Sequence, residues 1–384
     1  MDGVGNSKKV ARRAFLRNAL LAAAPVVLGS TPFAAAAMSN AVYRPVSRMR
    51  GTTALDVRDF GARGDGVRDD TASINAAIQA LPAEGGTVFV PAGRYLVDAV
   101  KSINLRSNMH FQLDPNAVLV CKPNAAEKSY VIYAYKVADV EISGGRVVGD
   151  RYAHLGSTGE WGHAVFVRGS QRVTVRDMRL SDCWGDGMSI GAALVYGAAP
   201  IPSEDIVVSN IVSTNNRRQG LSIGRGTNIT VRDSEFSYSN GTAPECGIDI
   251  EPDDPGISDH VSIENCVLRG NRKYGLLAYK RSQNTTIRRC TVISNGSCGI
   301  VTVGSTAIAI TQCSVRMNSA TGIFLQDGTS GCDISQNTFY GNYARNGIVD
   351  RKDFSMAGYS QKVERDILVR GITSNINVGT NYFK

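Results

Sequence analysis

The chain has 384 residues, of which 43% are hydrophobic and 20% charged, a composition that excludes a disordered or fibrous protein. Its formal charge of +8 is loaded at the front: without the first 37 residues, 37 basic and 33 acidic residues remain, a balance of +4 that leaves no basic footprint for nucleic acid. After those residues no segment approaches the ~20 consecutive apolar residues of a membrane span.

Residues 1–37 have the layout of an export signal. Arg12-Arg13-Ala-Phe-Leu-Arg17 precedes an apolar stretch from Ala19 to Gly29, and Ala34 to Ala37 offers small residues for cleavage. A twin-arginine signal is therefore expected over 1–37, a linker over 38–53 and one domain over 54–384. The mature protein is expected to be periplasmic or secreted, with no membrane and no nucleic-acid partner; the oligomeric state is left open.

The domain opens with Asp56-Val-Arg-Asp-Phe-Gly-Ala-Arg-Gly-Asp-Gly-Val-Arg-Asp-Asp-Thr71. Ile74, Ala77, Ile78 and Leu81 follow at helical spacing, with Asp70 or Thr71 placed to cap, so one amphipathic helix is predicted there. Its expected role is to cover an open end of the sheet, whose strand rows would otherwise recruit another chain. Asp65, Asp69 and Asp70 are read as turn and capping residues. Gly85-Gly-Thr-Val-Phe-Val-Pro-Ala-Gly-Arg-Tyr95 then begins the strands.

From there the chain repeats every 23 to 33 residues, through Asp186-Gly-Met-Ser-Ile, Gln219-Gly-Leu-Ser-Ile, Cys246-Gly-Ile-Asp-Ile, Tyr274-Gly-Leu-Leu-Ala, Cys298-Gly-Ile-Val-Thr, Thr321-Gly-Ile-Phe-Leu and Asn346-Gly-Ile-Val-Asp. Each unit is a glycine followed by alternating apolar residues, and each is followed by a second alternating run such as Ile229-Thr-Val-Arg-Asp or Val261-Ser-Ile-Glu-Asn. A unit this short cannot bury its apolar face alone, so neighbouring units must stack. The fold read from this pattern is all-β, a single-stranded parallel β-helix. Asn216, Asn240, Asn271, Asn295, Asn318 and Asn342 are expected to form a ladder at left-handed bends, and Cys266, Cys290 and Cys313 an inward stack of thiols. Asp366-Ile-Leu-Val and Ile376-Asn-Val-Gly-Thr-Asn read as a last partial coil.

The segment over residues 54–97 closely resembles the N-terminal signature of the pectate lyase superfamily, the rhamnogalacturonase-, polygalacturonase- and epimerase-like right-handed β-helix proteins, and the coils behind it resemble that family by pattern. The resemblance implies a right-handed solenoid acting on polysaccharide. Polygalacturonase-like enzymes carry coil motifs Asn-Thr-Asp, Asp-Asp, Gly-His-Gly and Arg-Ile-Lys. Trp184-Gly-Asp186-Gly is similar to the first and Tyr279-Lys280-Arg281 to the last, whereas the Asp pair and Gly-His-Gly are missing, Arg218-Gln219-Gly220 standing on the coil between.

Polar residues interrupt the coil pattern chiefly between 160 and 281. Trp161-Gly-His163 and Trp184-Gly-Asp186 lie 23 apart, one coil, which places both indoles on one flank as a candidate sugar platform, or against the insertion at Ala192 to Ser203. Gln219, Tyr274, Tyr279 and Arg281 continue the line as candidate substrate contacts with His163. Asp186, Asp249, Glu251 and Lys280 are the candidate catalytic residues. Strand geometry puts Asp249 and Glu251 about 6.5 to 7 Å apart, and Asp186, two coils earlier, about 9 to 10 Å from Asp249. Both distances sit nearer the carboxyl spacing of an inverting glycosidase than that of a retaining one, so inverting hydrolysis of an acidic, uronate-containing polysaccharide is favoured.

Three alternatives stay open. A lyase acting by β-elimination would neutralise the uronate carboxylate with Ca²⁺ or Arg/Lys; Asp249-Ile-Glu251-Pro-Asp253-Asp254 offers oxygen ligands, although no cofactor or metal is expected. A C5-epimerase would use nearly the same parts, without the Asp-Pro-His motif of alginate epimerases. A noncatalytic polysaccharide-binding or adhesion module would use the groove for affinity alone.

Overall fold

The computed structural model of the protein describes residues 46–342 and 366–384. The twin-arginine segment and the repeat around Asn346 lie outside the described residues. Within them the chain winds as a parallel β-helix of two sheets, one with ten strands and one with 22. The ten-stranded sheet carries β1 (Ile103–Asn104), β2 (Lys128–Tyr135), β3 (Trp161–Arg168), β4 (Met188–Gly191), β5 (Leu221–Ile223), β6 (Ile248–Ile250), β7 (Leu276–Tyr279), β8 (Ile300–Val303), β9 (Ile323–Gln326) and β10 (Ile367–Val369). After β6, for example, the same coil gives Ser258–Glu264 and Val267–Arg269 to the larger sheet.

Alternation sets the register. Val165, Met188, Leu221, Ile248, Leu276, Ile300 and Ile323 pair in succession across the small sheet, and all are fully buried. A slip of one residue would turn this whole column to solvent, so burial locks the pairing.

At the corners, residues with positive φ such as Asp233, Asn265 and Ser294 turn the chain. The asparagine ladder does not sit at these bends, as its sequence reading expected, but one residue after them. Asn271 donates to Asn295, Asn295 to Asn318 and Asn318 to Asn342, at 3.0, 2.9 and 2.9 Å. Asn216 is buried and bonds to Cys183 and Ser213 instead, and Asn240 is no rung at all: Ser239 takes that place, its N–H donating to Asn271 at 3.0 Å. Cys266, Cys290 and Cys313 are buried and unbridged.

The helix α1 runs over Thr71–Gln79, burying Ile74, Ala77 and Ile78. Asp70 does not cap it. Its carboxylate accepts from the N–H groups of Arg63 and Gly64, while Asp69 accepts from the Thr71 N–H at 3.0 Å. The segment read as linker is partly docked: Arg48 is buried and pairs with Asp205 at 2.7 Å, and Arg50 pairs with Glu141 at 2.7 Å. The C-terminal residues add a coil of three strands, Ile367–Val369, Ser374–Val378 and Tyr382–Phe383. Among the described residues no helix is long and apolar enough to cross a membrane.

Candidate active site

The outward side chains of the small sheet form two columns. One runs Tyr133, Phe166, Ser189, Ser222, Asp249, Leu277, Val301. In the other, Tyr135 pairs with Arg168 and Arg168 with Gly191; Gly224 and Glu251 extend it past the ends of β5 and β6, their N–H groups bonding to Ile190 and Ile223 at 2.8 and 2.9 Å. On two successive coils, therefore, both columns hold only serine or glycine. The missing side-chain volume opens a cleft of about 440 Å³, walled by Arg168 on one side and by Asp249 and Glu251 on the other. A Cβ on Gly191 would meet the Arg168 guanidinium at 3.4 Å, so the arginine lies over that glycine. There Arg168 donates to Ser189 Oγ at 2.8 Å and to its neighbour's carbonyl at 3.0 Å.

Asp249 is the centre of the electrostatics. It is buried, and burial together with the nearby Glu251 charge pushes its carboxyl up to about 8, so it is protonated at neutral pH. Gln219 Nε2 donates to its Oδ2 at 2.5 Å, while Oδ1 is buried with no partner in the protein.

Asp186 is also buried, which raises its pKa, with Arg218 and Ser222 pulling the other way. It accepts from Ser222 Oγ at 2.9 Å and lies 3.4 Å from Arg218 Nη1. Its carboxylate is thus bonded to the coil that pairs with that of Asp249. The Arg218 side chain also reaches Glu160 at 3.3 Å. The 3.5 Å approach of His163 Nδ1 to the Asp186 carboxylate is not an ion pair: Nδ1 accepts the Asp186 N–H at 2.9 Å, and burial, with the charges of Arg168 and Arg218, holds the imidazole neutral.

The structure brings Trp161, Asp186, Asp249, Glu251, Tyr279, Lys280 and Arg281 to this one cleft. Arg281, read as a substrate contact, is committed to the rim loop: it bonds to the carbonyls of Gly256 and Pro252 and pairs with Asp254 at 3.2 Å. Lys280 is exposed, its Nζ 5.0 Å from the Tyr279 ring. Four other expected contacts are not cleft surface. His163 and Gln219 are buried behind Asp186 and Asp249. Tyr274 packs against Cys246, Leu277, Cys298 and Val301. Trp184 does not share a platform with Trp161, because His154 stacks on one side at 4.0 Å and Arg217 lies 3.7 Å from its ring. The insertion after Ala192 is not its partner.

Arg168, Arg218 and Ser222 were not singled out from sequence. Their signal was present only by alignment of the coils, since Arg168 directly precedes Gly191 in the column that the glycine empties. Among the described residues no group of three or more His, Cys, Asp or Glu is arranged to hold a metal ion.

Two family models match the chain, the rhamnogalacturonase A/epimerase, pectate lyase-like family over residues 54–143 and the right-handed β-helix region over 125–251 and 243–354. The chain belongs to the right-handed β-helix proteins of the pectate lyase-like superfamily. It is 31% identical over 243 residues to the YclG protein of Bacillus subtilis (strain 168), covering 58% of this chain and 42% of that one. It is 30% identical over 217 residues to the mannuronan C5-epimerase AlgE1 of Azotobacter vinelandii, covering 49% and 16%. The chain thus spans less than half the length of either relative. The AlgE6 A-module of the same organism, also a mannuronan C5-epimerase, superposes with a TM-score of 0.58 at 18% identity, over 85% of this chain and 98% of that chain, a likeness of fold.

Proposed function

We propose that this protein is an exported enzyme that hydrolyses glycosidic bonds in a uronate-containing polysaccharide, with inversion. The observation that carries the reading is the Asp249 and Glu251 pair: two carboxyls two residues apart along one coil, both lining the cleft, the first buried and protonated, the second exposed at the rim. Neighbouring carboxyls whose environments differ this way divide acid from base work. The Asp249 proton passes to the leaving glycosidic oxygen as the C1–O bond breaks and its electron pair moves to that oxygen. Glu251 takes a proton from the water whose oxygen bonds to C1. Two residues along a strand span about 6.5 to 7 Å, within the inverting range.

Acidic substrate is favoured by the cations. Arg218 and Arg281 are paired with carboxylates in the cleft, whereas Arg168 hydrogen-bonds only to neutral groups and Lys280 stands beside a tyrosine. A uronate carboxylate would complete the Arg168 and Ser189 site. Trp161, 39% exposed at the cleft edge, supplies a ring for a sugar face.

A second reading, C5-epimerisation or β-elimination at the same cleft, is favoured by the sequence likeness to a mannuronan C5-epimerase. The test is incubation with pectate, polymannuronate and polyguluronate. Hydrolysis releases reducing ends; elimination gives an ultraviolet-absorbing unsaturated uronate; epimerisation in deuterated water leaves deuterium at C5 without cleavage. None of the three on any polyuronate would remove both readings.

A further inference from the structure

Gln219 touches no part of the cleft surface, yet both ends of its amide are committed. The Cys246 N–H donates to Oε1 at 3.3 Å. A backbone N–H only donates, so the carbonyl end of the amide must face it, and the NH₂ end must then face Asp249, to whose Oδ2 it donates at 2.5 Å. Flipping the amide would set two donors against each other on one side. Oδ2 is therefore held as an acceptor, and Oδ1, the other oxygen of this cleft-lining residue, is buried without a partner in the protein.

We propose that Gln219 is a positioning residue that confines the Asp249 proton to Oδ1, so that the acid enters the cleft with its O–H in one place and its C=O turned back into the protein. This rests on Asp249 acting as the acid. The donor hydrogen bond does work that burial alone does not: burial fixes that a proton is present, while Gln219 fixes which oxygen carries it. A carboxyl free to exchange its proton between both oxygens would present the O–H to a leaving group only part of the time, and misplacement of this kind lowers turnover rather than affinity. Asp249 is faced by Glu251 on its own coil, by Asp186 and Arg218 from preceding coils, by the buried Cys246 thiol and, at the cleft edge, by Lys280. None of these donates to Oδ2.

The test is infrared spectroscopy of the intact protein below pH 7, the protonated Asp249 C=O stretch being assigned by its loss in Asp249→Asn. In the wild type the carbonyl oxygen accepts a short hydrogen bond and the band lies low. In Gln219→Leu it should move to higher frequency. Gln219→Glu is the nearly isosteric control: at acid pH its own carboxyl O–H can donate to Oδ2, restoring the low band, and once ionised it cannot. On a polyuronate that is turned over, Gln219→Leu should lose about 10- to 100-fold in kcat with KM unchanged. A band at the same frequency in wild type and Gln219→Leu would overturn the proposal whatever the activity. Full activity of Asp249→Asn would instead overturn the reading on which it rests, and the infrared result tells the two failures apart.

Discussion

Ser222 is the direct lateral neighbour of Asp249 in the outward column, and its hydroxyl donates backward to Asp186 at 2.9 Å. One hydroxyl thus ties the earlier acid to the coil that pairs with that of the later one. Ser222→Ala should leave the fold intact and free Asp186 from that bond. Because Ser222 pulls the Asp186 pKa down, its loss raises it further. The acid limb of the pH profile of any activity using ionised Asp186 should then shift to higher pH, as kcat/KM across pH will report.

Asp249→Asn should stabilise the protein. The folded carboxyl titrates near 8 against an ordinary value of 3.8, so the folded state binds the proton more tightly. Stability linked to this group is full below pH ~4 and is lost as pH rises toward ~8. The asparagine keeps an oxygen for Gln219 and cannot ionise. A gain of about 0.5 to 2 kcal/mol, growing between those limits, is expected from thermal melts at pH 5 and pH 8.5. The same variant should lose about 10²- to 10⁴-fold in kcat, and wild-type kcat/KM should fall above pH ~8 as the acid deprotonates.

Arg168→Met should weaken binding of polyuronates more than of neutral glycans. Its two terminal nitrogens rest on Ser189 and a carbonyl, and the Asp186 and Asp253 carboxylates act on it only through space. A lost charged hydrogen bond is worth about 1.5 to 3 kcal/mol, and a KM increase of about 10- to 100-fold is the corresponding outcome in steady-state kinetics. Arg168→Lys should recover little of it, since a point charge does not reproduce the guanidinium fork.

The two tryptophans should separate by phenotype. Trp161→Ala is expected to raise KM with little change in melting temperature, because the ring stands at the cleft edge. Trp184→Ala should lower the melting temperature, because His154 and Arg217 lose the ring they pack on. Equal KM effects in both would contradict this division.

Asn295→Ala should cost about 2 to 4 kcal/mol in denaturant unfolding. It removes the bond to Asn318 and the one to the Leu268 carbonyl, and takes away the oxygen that accepts from both the side chain and the N–H of Asn271, all inside the solenoid. Asn240→Ala, outside the ladder, should cost about 1 kcal/mol or less through its contact with Arg151.

The coil pattern was legible because burial of alternating residues is a local property repeated by the stack. Leu221, Ile248 and Leu276 announce both their strands and their inward face without reference to anything distant. The same counting brought Asp186, Asp249, Glu251 and Lys280 to one flank, since residues at equal phase in successive coils must be neighbours. What a side chain does there was not periodic. Trp184 and Trp161 have the same phase, but the loop residue His154 and the corner residue Arg217 cover only one of them. Gln219 reads as a surface amide until Cys246 and Asp249 close on it. The cleft exists because Ser189, Gly191, Ser222 and Gly224 are small on two coils running, a hollow defined by its neighbours in space. The sequence by itself determined the solenoid and the flank that carries the acids, through periodic burial; which of those groups is protonated, paired or open to a ligand was decided only by the packing of coils and loops, because solvation and hydrogen bonding depend on atoms brought together from 20 to 40 residues apart.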